Sequence, residues 1–228
     1  MSKGFIIAID GPVAAGKGTV APLLAKKLNG FYLYTGAMYR CLALLCIEKG
    51  ISTKDKKQII KILPFFKMHF NGDGIFLNSK DVTERIKKED TAMGASDVGL
   101  IKEVREKMVN IQQDIARDLV NEGKIVVAEG RDTGTKVFPN AEFKFFLTAQ
   151  ARIRARRRLL QIEDRGDKKE FDDVLRDVIS RDEQDSNREI DPLAKDPQGL
   201  GYIVLDNSEM SEKETIEKII RRIKNDKN

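Results

Sequence analysis

Short apolar runs rich in β-branched and aromatic residues recur along the chain, at residues 5–9, 31–34, 125–128, 143–147 and 202–205. Each reads as a strand, and stretches with helical spacing separate them, beginning with residues 17–28 directly after the first run. Strands joined by helical crossovers predict an α/β fold: a parallel five-stranded sheet flanked by helices. One region breaks the pattern. Lys67-Met68-His69-Phe70 and Ile75-Phe76-Leu77-Asn78 flank Asn71-Gly72-Asp73-Gly74, the composition of a tight turn. They predict an antiparallel hairpin in an insert at about residues 51–96, outside the main sheet. Residues 150–167 carry Arg152, Arg154, Arg156, Arg157, Arg158 and Arg165 on a helical pattern that ends at Gly166. Arg154, Arg158 and Arg165 follow at spacings of four and seven and so share one helix face. Ser211 followed by Glu214 is a capping box ahead of Ile216, Ile219, Ile220 and Ile223, marking a last amphipathic helix.

The chain has 228 residues, enough for a single domain, 1–228, with a sizeable core and an insert. With 41% hydrophobic and 34% charged residues it is neither a disordered polyelectrolyte nor a membrane protein. Its longest apolar runs, 5–9 and 41–47, fall far short of a bilayer span. The amino terminus enters a strand at once, so no secretory leader and a cytoplasmic location are expected. Cys41 and Cys46 match neither a zinc spacing nor a disulfide framework and read as reduced packing residues. A single histidine, His69, argues against a His-based metal site and Ser-His-Asp chemistry and reads as structural. Any chemistry must therefore run on carboxylates, Lys, Arg and backbone amides. Lys plus Arg number 41 against 36 Asp plus Glu, a net charge of +5 that suits an anionic partner. The arginine run lacks interleaved aromatics and is followed by Glu163 and Asp164, so a nucleic-acid partner is not expected.

Between the first strand and the first helix stands Gly11-Pro12-Val13-Ala14-Ala15-Gly16-Lys17-Gly18-Thr19. Two glycines and a lysine at this spacing form a phosphate-cradling loop. The glycines let backbone amides turn inward, the helix adds its partial positive end, and Lys17 sets an ammonium on the β- and γ-phosphates. Gly18 stands where the general pattern has a Ser or Thr as magnesium ligand, and Thr19 comes one position late. The metal is thus expected to be held mainly through water and phosphate oxygens, with no protein ligand assigned. A Gly-Lys-Gly-Thr ending is typical of nucleoside monophosphate kinases.

Further motifs follow in order: Tyr34-Thr35-Gly36-Ala37-Met38-Tyr39-Arg40, then Glu129-Gly130-Arg131-Asp132-Thr133-Gly134-Thr135, then Arg181-Asp182-Glu183-Gln184-Asp185-Ser186-Asn187-Arg188. With Ile9-Asp10-Gly11-Pro12 and the phosphate loop, they closely resemble bacterial cytidylate kinase over about nine-tenths of the chain. The resemblance implies a core, an acceptor-binding insert and a short helical lid at about 150–167. It implies transfer of a phosphoryl group from ATP to CMP or dCMP, giving ADP and CDP or dCDP, with Mg2+ and as a monomer. Another small-acceptor kinase, for adenylate or uridylate, is the alternative, or from a different class an ATP-dependent nucleic-acid-binding protein.

Phosphoryl transfer needs positioning and neutralisation of moving charge more than covalent help, so arginines should dominate the site. The resemblance brings Arg40, Arg131, Arg181 and Arg188 around the acceptor phosphate and sugar and makes Arg154 and Arg158 the lid arginines that close over the triphosphate. Asp185 suits ribose hydroxyls and also sits at salt-bridge spacing from Arg181 and Arg188. Thr35 reads equally as a helix cap and as a ligand contact. Ser96, Arg105 and Asp132 are implied at the base: a carboxylate that only accepts suits the cytosine N4 amino group, and a guanidinium that only donates suits N3 or O2. Glu129, which the resemblance implies among the substrate-binding residues, and Tyr34 replace aspartates common in the family, and residues 195–201 depart from its usual run into the last strand.

Overall fold

A computed structural model describes residues 4–72, 74–164 and 166–226. The strands in chain order are β1 (Phe5–Asp10), β2 (Phe31–Tyr34), β3 (Met68–Asn71), β4 (Gly74–Leu77), β5 (Lys80–Asp81), β6 (Ile125–Glu129), β7 (Phe143–Thr148) and β8 (Ile203–Asp206). The helices are α1 (Lys17–Lys27), α2 (Thr35–Glu48), α3 (Lys56–Ile62), α4 (Glu89–Val98), α5 (Lys102–Asn121), α6 (Ala151–Glu163), α7 (Phe171–Asn187) and α8 (Glu212–Asn225). The main sheet runs β2-β6-β1-β7-β8, and β1 pairs in parallel with both β6 and β7, as does β7 with β8. The five apolar runs thus became the five strands of this sheet.

Central strands of a parallel sheet are covered on both faces, which is why they read as continuous apolar runs. Ile7, Ile9, Val127, Phe145 and Leu147 pack with Val20 and Leu24 of α1 and with Ile216, Ile219 and Ile223 of α8. Each such side chain contributes about 1.5–3 kcal/mol on leaving water. The capping box at the head of α8 is formed, with Ser211 and Glu214 bonding each other's backbone N–H. On one edge, α6 and α7 make a helical hairpin around Ala155, Ile162, Val174 and Val178, with Val13 of the phosphate loop packed against it. Arg165, expected on the face of α6 with Arg154 and Arg158, lies outside the described residues, as does Asp73 of the hairpin turn.

The chain divides into two compact units, Met1–Leu33 with Ile115–Asn228, and Tyr34–Asp114. The second is wider than residues 51–96, because α2 and α4 pack on each other and belong with the hairpin. Within it β3 and β4 pair antiparallel, Met68 opposite Leu77 and Asn71 opposite Gly74. A third strand, β5, adds to β4. Its two residues, Lys80 and Asp81, are exposed and polar, so no apolar signal announced it. Cys41 and Cys46 are buried free thiols in α2, and burial pushes them up to about 12 and about 11. They stay protonated packing groups.

Candidate active site

Strand β1 delivers the chain into the phosphate loop at Gly11, where a Cβ would lie 2.0 Å from the carbonyl oxygen of Leu147 on β7. Only glycine permits that approach. Gly16, at φ 90°, turns the chain into α1. Directly after it, Lys17 is 4% exposed and its Nζ donates to the carbonyls of Gly11 and Pro12, each at 2.7 Å. Burial and the charge of Arg131 pull this ammonium down to about 7, against the opposing pull of Glu129, Asp10 and Asp185. The lysine is thus folded over its own loop and poised between charge states.

The loop is held from outside by two side-chain arrangements. Asn207, just beyond β8, donates through Nδ2 to the carbonyl of Ala15 at 3.0 Å, while Arg157 grips its Oδ1 and carbonyl at 2.9 and 2.7 Å. Val13 is held at both backbone groups: its N–H donates to Asp182 Oδ1 at 3.0 Å and its carbonyl accepts from Arg154 Nη1 at 2.9 Å. Arg154 and Asp182 also pair directly at 2.6 Å, and Arg154 Nε donates to the carbonyl of Ala149. The shared face of Arg154 and Arg158 was legible in their spacing; its direction was not. Arg154 is buried against the loop, while the half-buried Arg158 lies near Gln161.

Beyond the loop lies a second group of buried charges. Arg131, after β6, donates through Nε to Asp185 of α7 at 2.6 Å. Burial alone would raise the Asp185 carboxyl, but Arg131, Arg181 and Arg188 around it hold it below the usual carboxylate range. Burial likewise opposes the charge on Arg131, and Asp185, Glu129 and Asp182 together keep it up. Arg188, at the end of α7, donates through Nη2 to Asp132 Oδ1 at 3.2 Å and through Nε to the carbonyl of Asp191 at 2.7 Å. The ion pair expected along the helix among residues 181, 185 and 188 is thus shared with a distant turn. Glu129 accepts from the Tyr32 hydroxyl at 3.0 Å, and its Oε1 faces Gly18, 3.9 Å from where a Cβ there would stand.

Thr35, Arg40, Ser96 and Arg105 belong to the second unit. Helix α2 starts on Thr35 itself, with Tyr34 as cap residue and no side chain capping, so Thr35 is not the cap. Arg40 Nη1 donates to the carbonyl of Ile86 at 2.8 Å, and Ser96 Oγ to that of Ala92 at 3.3 Å. The buried Arg105 reaches the carbonyl of Gly99 at 3.4 Å with its guanidinium over the Tyr39 ring. Two turns along α5, Gln112 is 1% exposed and neither end of its amide has a partner among the described residues. Gln112, Asp182, Asn207, Asp10 and Tyr202 were not singled out from the sequence. Asp10 and Asp182 stand inside quoted motifs, and that adjacency was the available signal.

A magnesium ion can be tested against these donors. Asp10 is committed to protein donors, its oxygens accepting from Thr133 N, Gly134 N and the Tyr202 hydroxyl. Position 18 offers no hydroxyl, and among the described residues no group of three or more His, Cys, Asp or Glu could hold a metal. The Glu129 carboxylate beside Gly18 is an oxygen donor of the kind that accepts hydrogen bonds from a hydrated cation. The residues fit an ion held chiefly by phosphate oxygens and water.

The family model for cytidylate kinase matches residues 7–225. The cytidylate kinase of Caldanaerobacter subterraneus subsp. tengcongensis is 41% identical over 218 residues, covering 96% of this chain and 94% of that protein. That of Clostridium acetobutylicum is 40% identical over 218 residues, covering 95% and 96%. Among solved structures, an uncharacterized protein from Eubacterium ventriosum is similar at TM-score 0.55 and 12% identity, covering 96% of this chain and 98% of that one. TT1252 from Thermus thermophilus is similar at TM-score 0.50 and 17% identity, covering 99% and 98%. These last two likenesses speak for the fold alone. The phosphate loop, the arginine-carboxylate cluster and a family match over nearly the whole length agree, and the chain belongs to the cytidylate kinase family.

Proposed function

We propose that the protein transfers the γ-phosphoryl group of ATP to CMP or dCMP, forming ADP and CDP or dCDP. The observation that carries this reading is the juxtaposition, in one unit, of a phosphate loop with a buried lysine and the arginines 131 and 188 held by Asp185 and Asp132. A site that must gather anionic phosphates needs that much fixed positive charge, and pre-pairing with carboxylates keeps the arginines oriented until a ligand arrives.

In this reading the amides of residues 11–19 and the Lys17 ammonium hold the donor phosphates. Arg131, Arg181, Arg188 and Arg40 take the acceptor phosphate, Asp185 the ribose, and Thr35, Ser96, Arg105 and Asp132 the rest of the nucleotide, including the base. The segment at about 150–167, which contains α6, serves as the lid, with Arg158 turned to the triphosphate and Arg154 positioning the loop. Mg2+, when bound, would neutralise charge on the phosphates; phosphate oxygens would hold it, and Glu129 would accept hydrogen bonds from its water. Cytosine presents an N4 donor to Asp132, whereas uracil would present O4. Each buried group left unpaired costs about 1–3 kcal/mol, so preference for CMP over UMP should reach roughly a hundredfold in kcat/KM.

Steady-state ADP formation against CMP, dCMP, UMP and AMP, with the parent and Asp132→Ala, tests the assignment. The parent should favour CMP or dCMP, and Asp132→Ala should lose CMP use and shrink the CMP-to-UMP ratio. A parent that used UMP as readily as CMP would end it.

A further inference from the structure

We propose that Tyr202 is a positioning residue for the acceptor end of the site: through Asp10, its hydroxyl fixes the backbone turn that carries Arg131 and Asp132. The inference rests on the phosphotransferase reading above. Asp10, the last residue of β1, has no exposed surface and cannot touch a ligand. Its oxygens accept from Thr133 N at 2.9 Å, Gly134 N at 2.7 Å and the Tyr202 hydroxyl at 2.6 Å. A buried carboxylate with three donors is a fixed point, because releasing any one of them strands charge in a medium that cannot solvate it. The turn that hangs on it, the π-helical residues Thr133–Val137, follows directly on Arg131 and Asp132.

Tyr202 is itself locked. Phe146 meets its ring edge-on at 5.9 Å, Leu193 packs beside it, and Lys144 Nζ lies over the ring at 5.9 Å. Burial and the charge of Asp10 push the phenol far up, so the hydroxyl remains a donor at any working pH. Gly134 closes the arrangement from the other side: a Cβ there would sit 2.8 Å from the Tyr202 hydroxyl oxygen and 3.0 Å from Cζ. The segment between α7 and β8 is anchored at both ends. Near its start Leu193 N donates to the carbonyl of Asp185 at 2.8 Å and Asp191 accepts from Arg188; at its end Tyr202 holds Asp10. The Tyr202 hydroxyl therefore ties the segment that leaves Arg188 to the turn bearing Asp132, beside the direct Arg188–Asp132 bond. Displacements of about 1 Å at such a place can cost a hundredfold in rate.

The test is Tyr202→Phe in the full chain, with kcat and KM for CMP, UMP and ATP, beside Ile219→Val in the main core as a packing control. Tyr202→Phe should lower kcat/KM for CMP about tenfold, mainly through KM, and reduce the CMP-to-UMP ratio, with KM for ATP within twofold of the parent. Ile219→Val should lower Tm without moving that ratio. Gly134→Ala presses on the same contact from the opposite side and should give the Tyr202→Phe signature; it decides the matter if Tyr202→Phe does not fold. Constants for CMP and ATP that shift equally, or a Tyr202→Phe enzyme with parental CMP kinetics and only a lower Tm, would overturn the inference while leaving the function standing. A parent that phosphorylates no nucleoside monophosphate would overturn both.

Discussion

The phosphate loop is made from one uninterrupted stretch, residues 11–19, and its shape follows from glycines within that stretch, at 11 and 16. The arginine-carboxylate cluster proposed for the acceptor is made from the end of β1, the turn after β6, the end of α7 and the approach to β8, and its shape follows from charges that find partners across the fold. In the loop the one cation, Lys17, bonds backbone carbonyls alone among the described residues. In the cluster, Arg131 bonds Asp185 and Arg188 bonds Asp132. Removing Lys17 strands no buried countercharge directly bonded to it, whereas removing a cluster residue leaves its partner buried and unpaired, a change that costs stability as well as rate. The two halves of the site should therefore fail differently.

The largest effect sharpens that difference. Lys17→Ala should lower kcat by about a thousandfold or more, since an ammonium on the transferred group stabilises the transition state more than the ground state. Tm should stay near the parental value, because the substitution removes a cation that burial already disfavours. A variant with near-parental turnover would refute the assignment of the loop, and one that unfolds would refute the contrast.

The same contrast explains what could be read from the sequence. Strands, the loop, α6 and the cap of α8 are written in neighbouring residues, where spacing alone carries the signal. The Arg131–Asp185 bond spans 54 positions and the Tyr202–Asp10 bond 192, and no local pattern encodes either. Helical spacing did place Asp185 beside Arg181 and Arg188, but burial and the fold chose its bonded partner. The departure at residues 195–201 was noticed as a departure, yet that Tyr202 just after it reaches Asp10 at the loop end of β1 needed coordinates. The width of the second unit was hidden for a related reason: α2 reads as an ordinary crossover helix until it is seen packed on α4.

Val13 is where the two kinds of construction meet, and a smaller effect is expected there. The Arg154–Asp182 pair holds both backbone groups of Val13, so Asp182→Asn, which adds no bulk, should loosen the loop much as Arg154→Gln does. Both should raise KM for ATP about tenfold and leave KM for CMP within threefold. A lid arginine that acts only by touching phosphate predicts otherwise: Arg154→Gln would be impaired and Asp182→Asn would not. Measuring both constants in both variants separates a residue that shapes the loop from one that closes over the nucleotide.

The smallest effect is a proton. Lys17 sits at about 7 in the free protein, well below its ordinary value of 10.5, with burial as the leading cause. Triphosphate oxygens set against the same amine favour its charged form and must raise that value. At about pH 8.5 the free site is therefore mostly neutral and the occupied site charged, so ATP binding should take up about one proton; well below pH 7 both are charged and Lys17 takes up none. The sign carries over to stability. Between about pH 7 and 10.5 the unfolded chain keeps a proton on Lys17 that the folded chain has released, so this residue makes the free protein more stable as pH rises through that window. Calorimetric titration with a non-hydrolysable ATP analogue, without CMP, in two buffers of different ionisation enthalpy reads the uptake directly. Lys17→Met should lose the uptake and flatten the pH dependence of Tm in the same window. If the parent binds the analogue at about pH 8.5 without taking up a proton, the lysine is already charged in the free loop. Burial would then have been offset, as it is for Arg131, and the loop would be charge-balanced in the same way as the cluster it is contrasted with.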